Sequence, residues 1–206
     1  RGTIYKYNSQ RDEFLSHLDI NMYVRWMHFD ANNRIWVTTN NELGFIKDDS
    51  LVYIKSQELV NESYRSVSDF DQDNLLIQTN RNVYKYNISR NEKQAILSAD
   101  ILSKINSQIE TCLYDKELDQ LWIGTVNKGL YLFYPRNGHL LFVDDPQLLY
   151  HPILSLDLLD NEYLILGTEG LGACLLNRKT LKIEKIYNQH SKNENYIRGD
   201  AIYHIF

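Results

Sequence analysis

Apolar and polar positions along the chain follow one pattern that occurs four times. Its clearest copy is QLWIGTVNKGLYLF (Gln120–Phe133), in which an apolar strand ends in threonine and a short polar loop leads to a second apolar strand. Three related segments occupy Arg34–Ile46, Asn74–Tyr86 and Tyr163–Leu176. The threonines at the shared position are spaced by 40, 46 and 43 residues: Thr39, Thr79, Thr125 and Thr168. A period in the low forties is typical of four short strands with their turns, the blade of a β-propeller.

The residues around each copy complete a four-stranded unit. An apolar-rich strand precedes each copy, at Val24–Phe29, Arg65–Phe70, Glu110–Tyr114 and Ile153–Leu159. Asp- and Asn-rich turns follow these strands, and a turn such as Pro135–Gly138 leads to a fourth strand such as His139–Val143. Only Ala99–Ile109 approaches helical periodicity, and we expect a helical turn or loop there. The pattern therefore predicts an all-β chain, a β-propeller built from four-stranded antiparallel blades.

Both ends of the chain fit partial blades. Gly2–Leu15 matches a third and fourth strand, and Ala201–Phe206 matches a first strand. We therefore expect one propeller segment over residues 1–206, an incomplete propeller fragment. Its predicted parts are the end of one blade in 1–20, four blades in 21–60, 61–105, 106–148 and 149–190, and the start of the next in 191–206. Trp36 and Trp122 are predicted to fill the layer between blades.

Composition narrows the function classes. Net charge is −5, from 22 basic and 27 acidic residues, with no basic block, so nucleic acid is not an expected partner. No run approaches 18 apolar residues, so we expect a membrane attachment only through regions outside this chain. Because the sequence starts at Arg1, we interpret it as a fragment or a processed product. Cys112 and Cys174 fall in apolar strands of different repeats and are predicted to be free buried thiols, a disulfide being the alternative.

The sequence of Leu121–Gly138, LWIGTVNKGLYLFYPRNG, resembles the two-component regulator propeller repeat. The other copies depart from it: Thr38 replaces the motif glycine after Trp36, and the copy at Asn74 lacks both tryptophan and glycine. The resemblance implies the periplasmic sensor region of a hybrid two-component histidine kinase in the inner membrane. It further implies a role in detecting glycan breakdown products and switching on genes for their use. Any kinase activity would then lie outside this chain, and this segment is not expected to be an enzyme.

Motifs for catalysis, metals and cofactors do not emerge from the sequence. The six histidines are too scattered to suggest a metal pair, and no phosphate loop or nucleophile motif occurs. The acidic pairs Asp48-Asp49 and Asp144-Asp145 fall at turns and are interpreted as solvated. We therefore predict no catalytic residue, no metal and no cofactor.

Candidate ligand-binding residues cluster at the end of each unit where the first strand begins. Tyrosines, basic residues and amides alternate there, and aromatic faces stack on sugar rings while Arg and Asn bond hydroxyls and carboxylates. The predicted set is Tyr23, Arg25, Tyr64, Arg65, Arg81, Lys128, Tyr150, His151 and Arg198, with Asn41 and Tyr196 beside it. The excess of arginine on an acidic chain favours an anionic glycan group. The hypothesis is that Tyr64 stacks on an acidic oligosaccharide and that Arg65 pairs with its charge.

Two other functions remain open at this point. The repeats could form a protein-interaction or dimerisation propeller, for example in a homodimer, with no small ligand. They could also belong to a propeller glycosidase or lyase, which would need two carboxylates across a cleft. Binding to a carbohydrate array separates the first alternative from a glycan sensor, and analysis of reaction products separates the second.

Overall fold

The computed structural model describes residues 2–20, 22–54, 62–191 and 196–205. Within these ranges the chain is built of antiparallel strands with one short α-helix, and it divides into two compact units. Unit 1 comprises Arg1–Thr79 and Tyr84–Ala95, and unit 2 comprises Asn80–Val83 and Ile96–Phe206. The prediction of an all-β fold built from four-stranded antiparallel blades is confirmed.

The described residues of unit 1 form a two-stranded sheet and two four-stranded sheets. The two-stranded sheet pairs β1 (Thr3–Asn8) with β2 (Glu13–Asp19). The next sheet has the strands β3 (Trp26–Phe29), β4 (Ile35–Thr38), β5 (Leu43–Lys47) and β6 (Ser50–Tyr53). The last has β7 (Tyr64–Asp69), β8 (Asn74–Thr79), β9 (Val83–Asn87) and β10 (Glu92–Ala95). In both four-stranded sheets the spatial order follows the chain order, as the simple meander of a blade requires.

Unit 2 begins with helix α1 (Ala99–Ile105) and continues with two four-stranded sheets. The first has the strands β11 (Ile109–Asp115), β12 (Gln120–Thr125), β13 (Leu130–Tyr134) and β14 (His139–Phe142). The second follows a 3-10 turn at Pro146–Leu148 and has β15 (Ile153–Leu158), β16 (Tyr163–Thr168), β17 (Ala173–Asn177) and β18 (Lys182–Tyr187). Their spatial order again follows the chain.

Helix α1 lies where the sequence predicted a helical turn, and local chemistry fixes both of its ends. The Ser98 side chain accepts a hydrogen bond from the backbone N–H of Ile101 at 3.3 Å, which caps the first turn. Asn106 ends the helix in the left-handed region at φ +45°, which asparagine tolerates. Ile101 and Ile105 are buried, so one side of the helix packs on the protein.

Both predicted core tryptophans are fully buried between sheets. In unit 1, Trp36 on β4 packs with Val67, Leu75 and Ile77 of the neighbouring sheet and with the Tyr86 ring at 6.2 Å. In unit 2 a second core surrounds Trp122; its buried members are Leu130, Leu132, Val143, Leu148, Ile153, Leu164, Leu166, Cys174 and Leu176. Each core draws residues from two sheets because a blade is apolar on both faces.

Both cysteines are free, as predicted. Cys174 is fully buried in the unit 2 core, whereas Cys112 on β11 is only half-buried, which differs from the prediction of two buried thiols. Burial raises the pKa of each thiol to about 12. The thiolate, which is the reactive form, is therefore scarce at neutral pH.

The glycine of the repeat motif marks close contact between successive blades. A β-carbon on Gly124 would lie 2.6 Å from Thr111 Cγ2 and 2.8 Å from the Ile153 side chain of the next sheet. A β-carbon on Gly167 would lie 2.4 Å from the carbonyl oxygen of Ile202. The chain segment that follows each of these blades thus packs directly on this position.

The prediction of a first strand at Ala201–Phe206 needs correction within the described residues. Ala201 forms an isolated antiparallel bridge with Glu169, and residues 202–205 have no strand structure. In each four-stranded sheet the first strand is held by pairing with the second strand, and within the described residues no strand pairs with 202–205. Ile202 nevertheless contacts Gly167 as Ile153 contacts Gly124, and its N–H donates to Thr168 O at 3.0 Å.

The stability of the fold in acid depends on Asp30, whose carboxylate is hydrogen-bonded to the buried Trp36 of unit 1. Its carboxylate accepts hydrogen bonds from Trp36 Nε1 at 2.9 Å and from Arg34 Nε at 2.7 Å, besides backbone N–H groups. Burial pushes the pKa of Asp30 upward, but these hydrogen bonds outweigh burial and hold the pKa below its ordinary value. The carboxylate therefore stabilises the fold above the pKa of the unfolded chain, roughly 3.9. That stability is lost as pH falls through the lower folded-state pKa.

We expect Asp30→Asn to reduce the loss of unfolding free energy between pH 7 and pH 3, because the amide does not titrate. Urea denaturation at both pH values measures this difference. Asp48→Asn, in an exposed turn, is the matched control and should leave the difference as in the parent protein. Equal pH dependence in Asp30→Asn and the parent would contradict the assignment.

Candidate functional site

The loops between second and third strands are shaped by the repeated threonine. The side chains of Thr39, Thr125 and Thr168 each accept a hydrogen bond from the backbone N–H three residues later, at 3.0–3.1 Å. Thr79 ends β8 at the equivalent register but donates its hydroxyl to Glu62 at 2.6 Å. These tight turns hold their central polar residues at the end of each sheet, as predicted.

In unit 2 these loops and the segments leading into first strands form a continuous row, here called the loop row. It starts at the Arg81 loop, where Asn80 O accepts from Ile109 N, and continues through Gln108 O, which accepts from Val126 N. The Lys128 loop then approaches Leu148, since a β-carbon on Gly129 would lie 3.5 Å from Leu148 O.

The row continues from Leu148 to the end of the described chain. Leu148 O accepts from His151 N, and His151 Nδ1 lies 3.0 Å from the carbonyl oxygen of Glu169. Gly170 N, next along, donates to Asp200 O at 2.7 Å, two residues after Arg198. The structure therefore brings five of the predicted site residues onto one end of unit 2: Arg81, Lys128, Tyr150, His151 and Arg198.

Exposure along the loop row suits contact with a ligand. Arg81, Lys128 and Arg198 are exposed, and Tyr150 is 85% exposed. Tyr150 adopts φ +69°, an unusual conformation for a tyrosine, which presents the ring to solvent. His151 is half-buried, and if Nδ1 donates to Glu169 O, Nε2 remains an acceptor for a hydroxyl. Tyr196 is 52% exposed on the same segment as Arg198.

Unit 1 carries four predicted residues, and one of them is placed wrongly by the sequence interpretation. Tyr23 is 80% exposed, and Arg25 donates from Nη1 to Asn40 Oδ1 at 2.9 Å. Arg65 is half-buried. Tyr64 is only 2% exposed and packs in the core with Trp36, so its ring cannot stack on a sugar.

The correction at Tyr64 has a simple physical reason. Tyr64 is the first residue of β7, and its N–H donates to Asn40 O at 2.9 Å, which draws it towards the preceding sheet. The alternation of the strand then directs its ring into the core rather than towards solvent. Exposure at a strand start therefore differs from exposure in the loop before it, a distinction that the residue type alone does not reveal.

Unit 2 also holds buried charged residues that the sequence interpretation missed. Asp115, at the end of β11, forms an ion pair with Arg178, and their side chains are 3% and 5% exposed. Asp145 is buried rather than solvated, since it accepts from Gln147 N at 3.0 Å and Ile183 N at 2.8 Å. Asp115 lies at the repeat position equivalent to Asp30. This equivalence is the signal in the sequence that could have indicated a buried carboxylate at Asp115.

Within the described ranges, no group of three His, Cys, Asp or Glu side chains is arranged to hold a metal ion. In the same part of the chain, no helix has the length and apolar character needed to cross a membrane.

Solved structures share this fold, although no protein-family model and no curated protein sequence matches the chain. Two structures of the extracellular domain of BT4673 from B. thetaiotaomicron superpose with TM-scores of 0.77 and 0.76 at 22% identity, over 99% of this chain. BT4673 is described as a putative one-component system in one and a putative hybrid two-component system in the other. The extracellular domain of the putative hybrid two-component system BT3049 from the same organism superposes with a TM-score of 0.64 at 13% identity, over 89% of this chain.

The similarity is one of fold. This chain spans about a quarter of those domains, 27% for BT4673 and 26% for BT3049. A further match, to Sqt1 of Saccharomyces cerevisiae, has a TM-score of 0.66 at 10% identity and covers 89% of this chain and 54% of that chain. At such identities the alignments support a common architecture and carry no residue-level site across. The chain thus has the blade architecture found in extracellular domains of putative hybrid two-component systems.

Proposed function

We propose that this chain is part of the extracytoplasmic ligand-sensing propeller of a hybrid two-component sensor, which detects glycan-derived oligosaccharides in the periplasm. The observation that carries the proposal is the match to the BT4673 extracellular domain, which extends over 99% of the chain. The repeat sequence at Leu121–Gly138 supports the same family independently of the fold. On this proposal the segment binds a ligand and has no catalytic role.

The proposed ligand surface is the loop row of unit 2. It combines the exposed Tyr150 ring with three exposed cations, Arg81, Lys128 and Arg198. An aromatic face packs against the C–H face of a sugar, and cations pair with carboxylate or sulfate groups. The proposed ligand class is therefore an acidic oligosaccharide that carries a uronate or sulfate.

Screening on a carbohydrate array, followed by calorimetry, tests the proposal with variants of the loop row. We expect Lys128→Ala to weaken binding of the array-identified acidic oligosaccharide about tenfold, as loss of a charge-assisted hydrogen bond does. Tyr150→Ala should weaken it roughly threefold to tenfold through loss of stacking, whereas Tyr150→Phe, which keeps the ring, should bind almost normally.

Lys185→Ala is the charge-matched control, because Lys185 is an exposed lysine on the outer strand β18. Its affinity should equal that of the parent protein. Unchanged affinity in Lys128→Ala and Tyr150→Ala would remove the ligand from the loop row. A chain that binds no glycan but associates with itself in sedimentation experiments would favour the dimerisation propeller instead, and release of shortened glycans would favour a glycosidase or lyase.

A further inference from the structure

An exposed acidic residue lies in the loop row next to the exposed Tyr150. Glu169 is in the loop between β16 and β17 and is exposed. Its backbone N–H donates to Pro152 O at 3.0 Å, and its carbonyl oxygen lies 3.0 Å from His151 Nδ1. His151 and Pro152 directly follow Tyr150 in the chain. Tyr150, His151 and Glu169 therefore form one group, here called the central subsite.

Exposed cations lie on both sides of the central subsite. Lys128 is in the equivalent loop of the preceding sheet, between β12 and β13. Arg198 belongs to the segment that Gly170 holds by donating its N–H to Asp200 O at 2.7 Å. Among the described residues, no hydrogen bond or ion pair engages the side chains of Lys128, Glu169 or Arg198. All three charges are therefore available to a ligand.

The central subsite combines a stacking face with hydrogen-bond acceptors. A carbonyl oxygen can only accept, so His151 Nδ1 carries the proton towards Glu169 O, and Nε2 is an acceptor in the neutral ring. The Glu169 carboxylate adds two acceptor oxygens, and the Tyr150 ring is 85% exposed. A sugar ring with free hydroxyl or amide N–H groups supplies the matching donors. A carboxylate or sulfate supplies only acceptors and leaves those of the subsite without partners.

Charge restricts the sugar at the central subsite further. The Glu169 carboxylate repels a uronate or a sulfate on the ring that it contacts. An ammonium group on that ring would be repelled by Lys128 and Arg198 on the two sides. An uncharged ring that carries donors avoids both penalties, and its C–H face can pack on Tyr150.

The spacing of the sheets places the acidic groups on other rings of the same ligand. Lys128 and Glu169 lie in equivalent loops of two sheets that share the core around Trp122. Packed sheets lie about 10 Å apart, which is roughly the length of two linked sugar rings. A ligand that extends along the loop row can thus present an uncharged ring to Glu169 and an acidic ring to Lys128.

We infer that Glu169 makes the loop row selective for a mixed oligosaccharide. An uncharged, donor-bearing ring lies at the central subsite, and acidic groups on the neighbouring rings pair with Lys128 and Arg198. The inference rests on the proposed function and adds to it the order of charged and uncharged sugars. A run of consecutive uronates is disfavoured because one of its carboxylates meets Glu169.

Calorimetry with three tetrasaccharides tests the inference. The alternating probe has glucuronate and N-acetylglucosamine in turn, the acidic probe is galacturonate throughout, and the uncharged probe is N-acetylglucosamine throughout. We expect the alternating probe to bind the parent protein most tightly. Glu169→Gln should weaken its binding about tenfold, through loss of hydrogen bonds to a charged group. The same variant should bind the acidic probe about fivefold more tightly, because a repulsion between like charges is removed.

Opposite changes for two probes separate selectivity from damage to the fold, which would weaken both. The gain for the acidic probe should disappear in about 1 M sodium chloride, where charges more than about 3 Å apart are screened. Glu162→Gln is the charge-matched control, because Glu162 is exposed in the hairpin at the other end of β16. Its affinity for each probe should equal that of the parent protein.

Tighter binding of the acidic probe than of the alternating probe by the parent protein would overturn the inference. An affinity for the acidic probe that does not rise in Glu169→Gln would overturn it too. Tightest binding of the uncharged probe would overturn the pairing of acidic groups with Lys128 and Arg198. If none of the three probes binds while the carbohydrate array detects another glycan, the inference fails and the proposed function stands. If the array detects no glycan at all, the proposed function fails as well.

Discussion

Replacement of either fully buried tryptophan by alanine is expected to destabilise the protein by about 3–5 kcal/mol. Trp36 and Trp122 are each 0% exposed, and each fills the layer between two sheets of its own unit. Removal of the indole leaves a cavity that strands held by backbone hydrogen bonds cannot close. Urea denaturation followed by circular dichroism measures the free energy of unfolding.

Substitution by phenylalanine is expected to lower the unfolding free energy by different amounts at the two tryptophans. Trp36 Nε1 donates to the buried carboxylate of Asp30, whereas Trp122 Nε1 is buried without a partner among the described residues. Trp36→Phe therefore loses a hydrogen bond to a charged group, worth about 2 kcal/mol, and Trp122→Phe loses none. We expect Trp36→Phe to be the more destabilising of the pair by about that amount.

The two phenylalanine variants act as matched controls for each other, because they remove the same atoms from equivalent positions of two blades. Asp30→Asn combined with Trp36→Phe should show less than additive destabilisation, since both changes break one hydrogen bond. Equal destabilisation by Trp36→Phe and Trp122→Phe would contradict the assigned role of the Asp30 hydrogen bond.

Loss of one partner of the buried Asp115–Arg178 ion pair is the second large effect that we expect. Asp115→Leu leaves the guanidinium of Arg178 buried without its counter-ion and should cost about 3–5 kcal/mol of unfolding free energy. Arg178→Met should cost a similar amount. The double variant removes both charges, and we expect it to lie within about 1 kcal/mol of the parent protein, because apolar pairs often replace buried ion pairs without loss.

Arg136→Met in the corresponding turn of the preceding sheet is the control. Arg136 pairs with Asp119 at 2.8 Å but is 87% exposed, so its loss should cost less than about 1 kcal/mol. Denaturation curves of the three Asp115 and Arg178 variants form a thermodynamic cycle. If the double variant loses as much unfolding free energy as the two single variants together, the two side chains act independently and the prediction is refuted.

The loop row illustrates how far residue patterns reach. Arg81, Lys128 and Arg198 were predicted to lie at the end of the blades where first strands begin, and the structure places all three on the loop row of unit 2. Their location follows from the repeat, because once the threonine turns are aligned the loops after them must share one end of the sheets. The pattern could not distinguish Tyr150 in the loop from Tyr64 at a strand start, since both are tyrosines near a strand start.

The buried ion pair of Asp115 and Arg178 was beyond the reach of the sequence for a different reason. Arg178 sits in a turn whose repeat equivalents are Pro135 and Ile88, and its chemistry depends on Asp115, 63 residues away in the preceding blade. Pairing between blades depends on side-chain direction and on the space between two sheets. Neither is encoded in the short polar turns themselves, which read as ordinary solvated loops.

The sequence by itself determined the strand pattern, the four-stranded unit and its repeat, the buried tryptophans and the end of the sheets that carries polar loops. These follow from periodicity and turn chemistry, which act over a few residues. Only the tertiary structure decided that Tyr64 is buried, that Ala201 forms a bridge rather than a strand, and that Asp115 and Arg178 form a buried ion pair. Those outcomes depend on how neighbouring blades pack, and desolvation and close contact between sheets are properties of the assembled blades rather than of any one repeat.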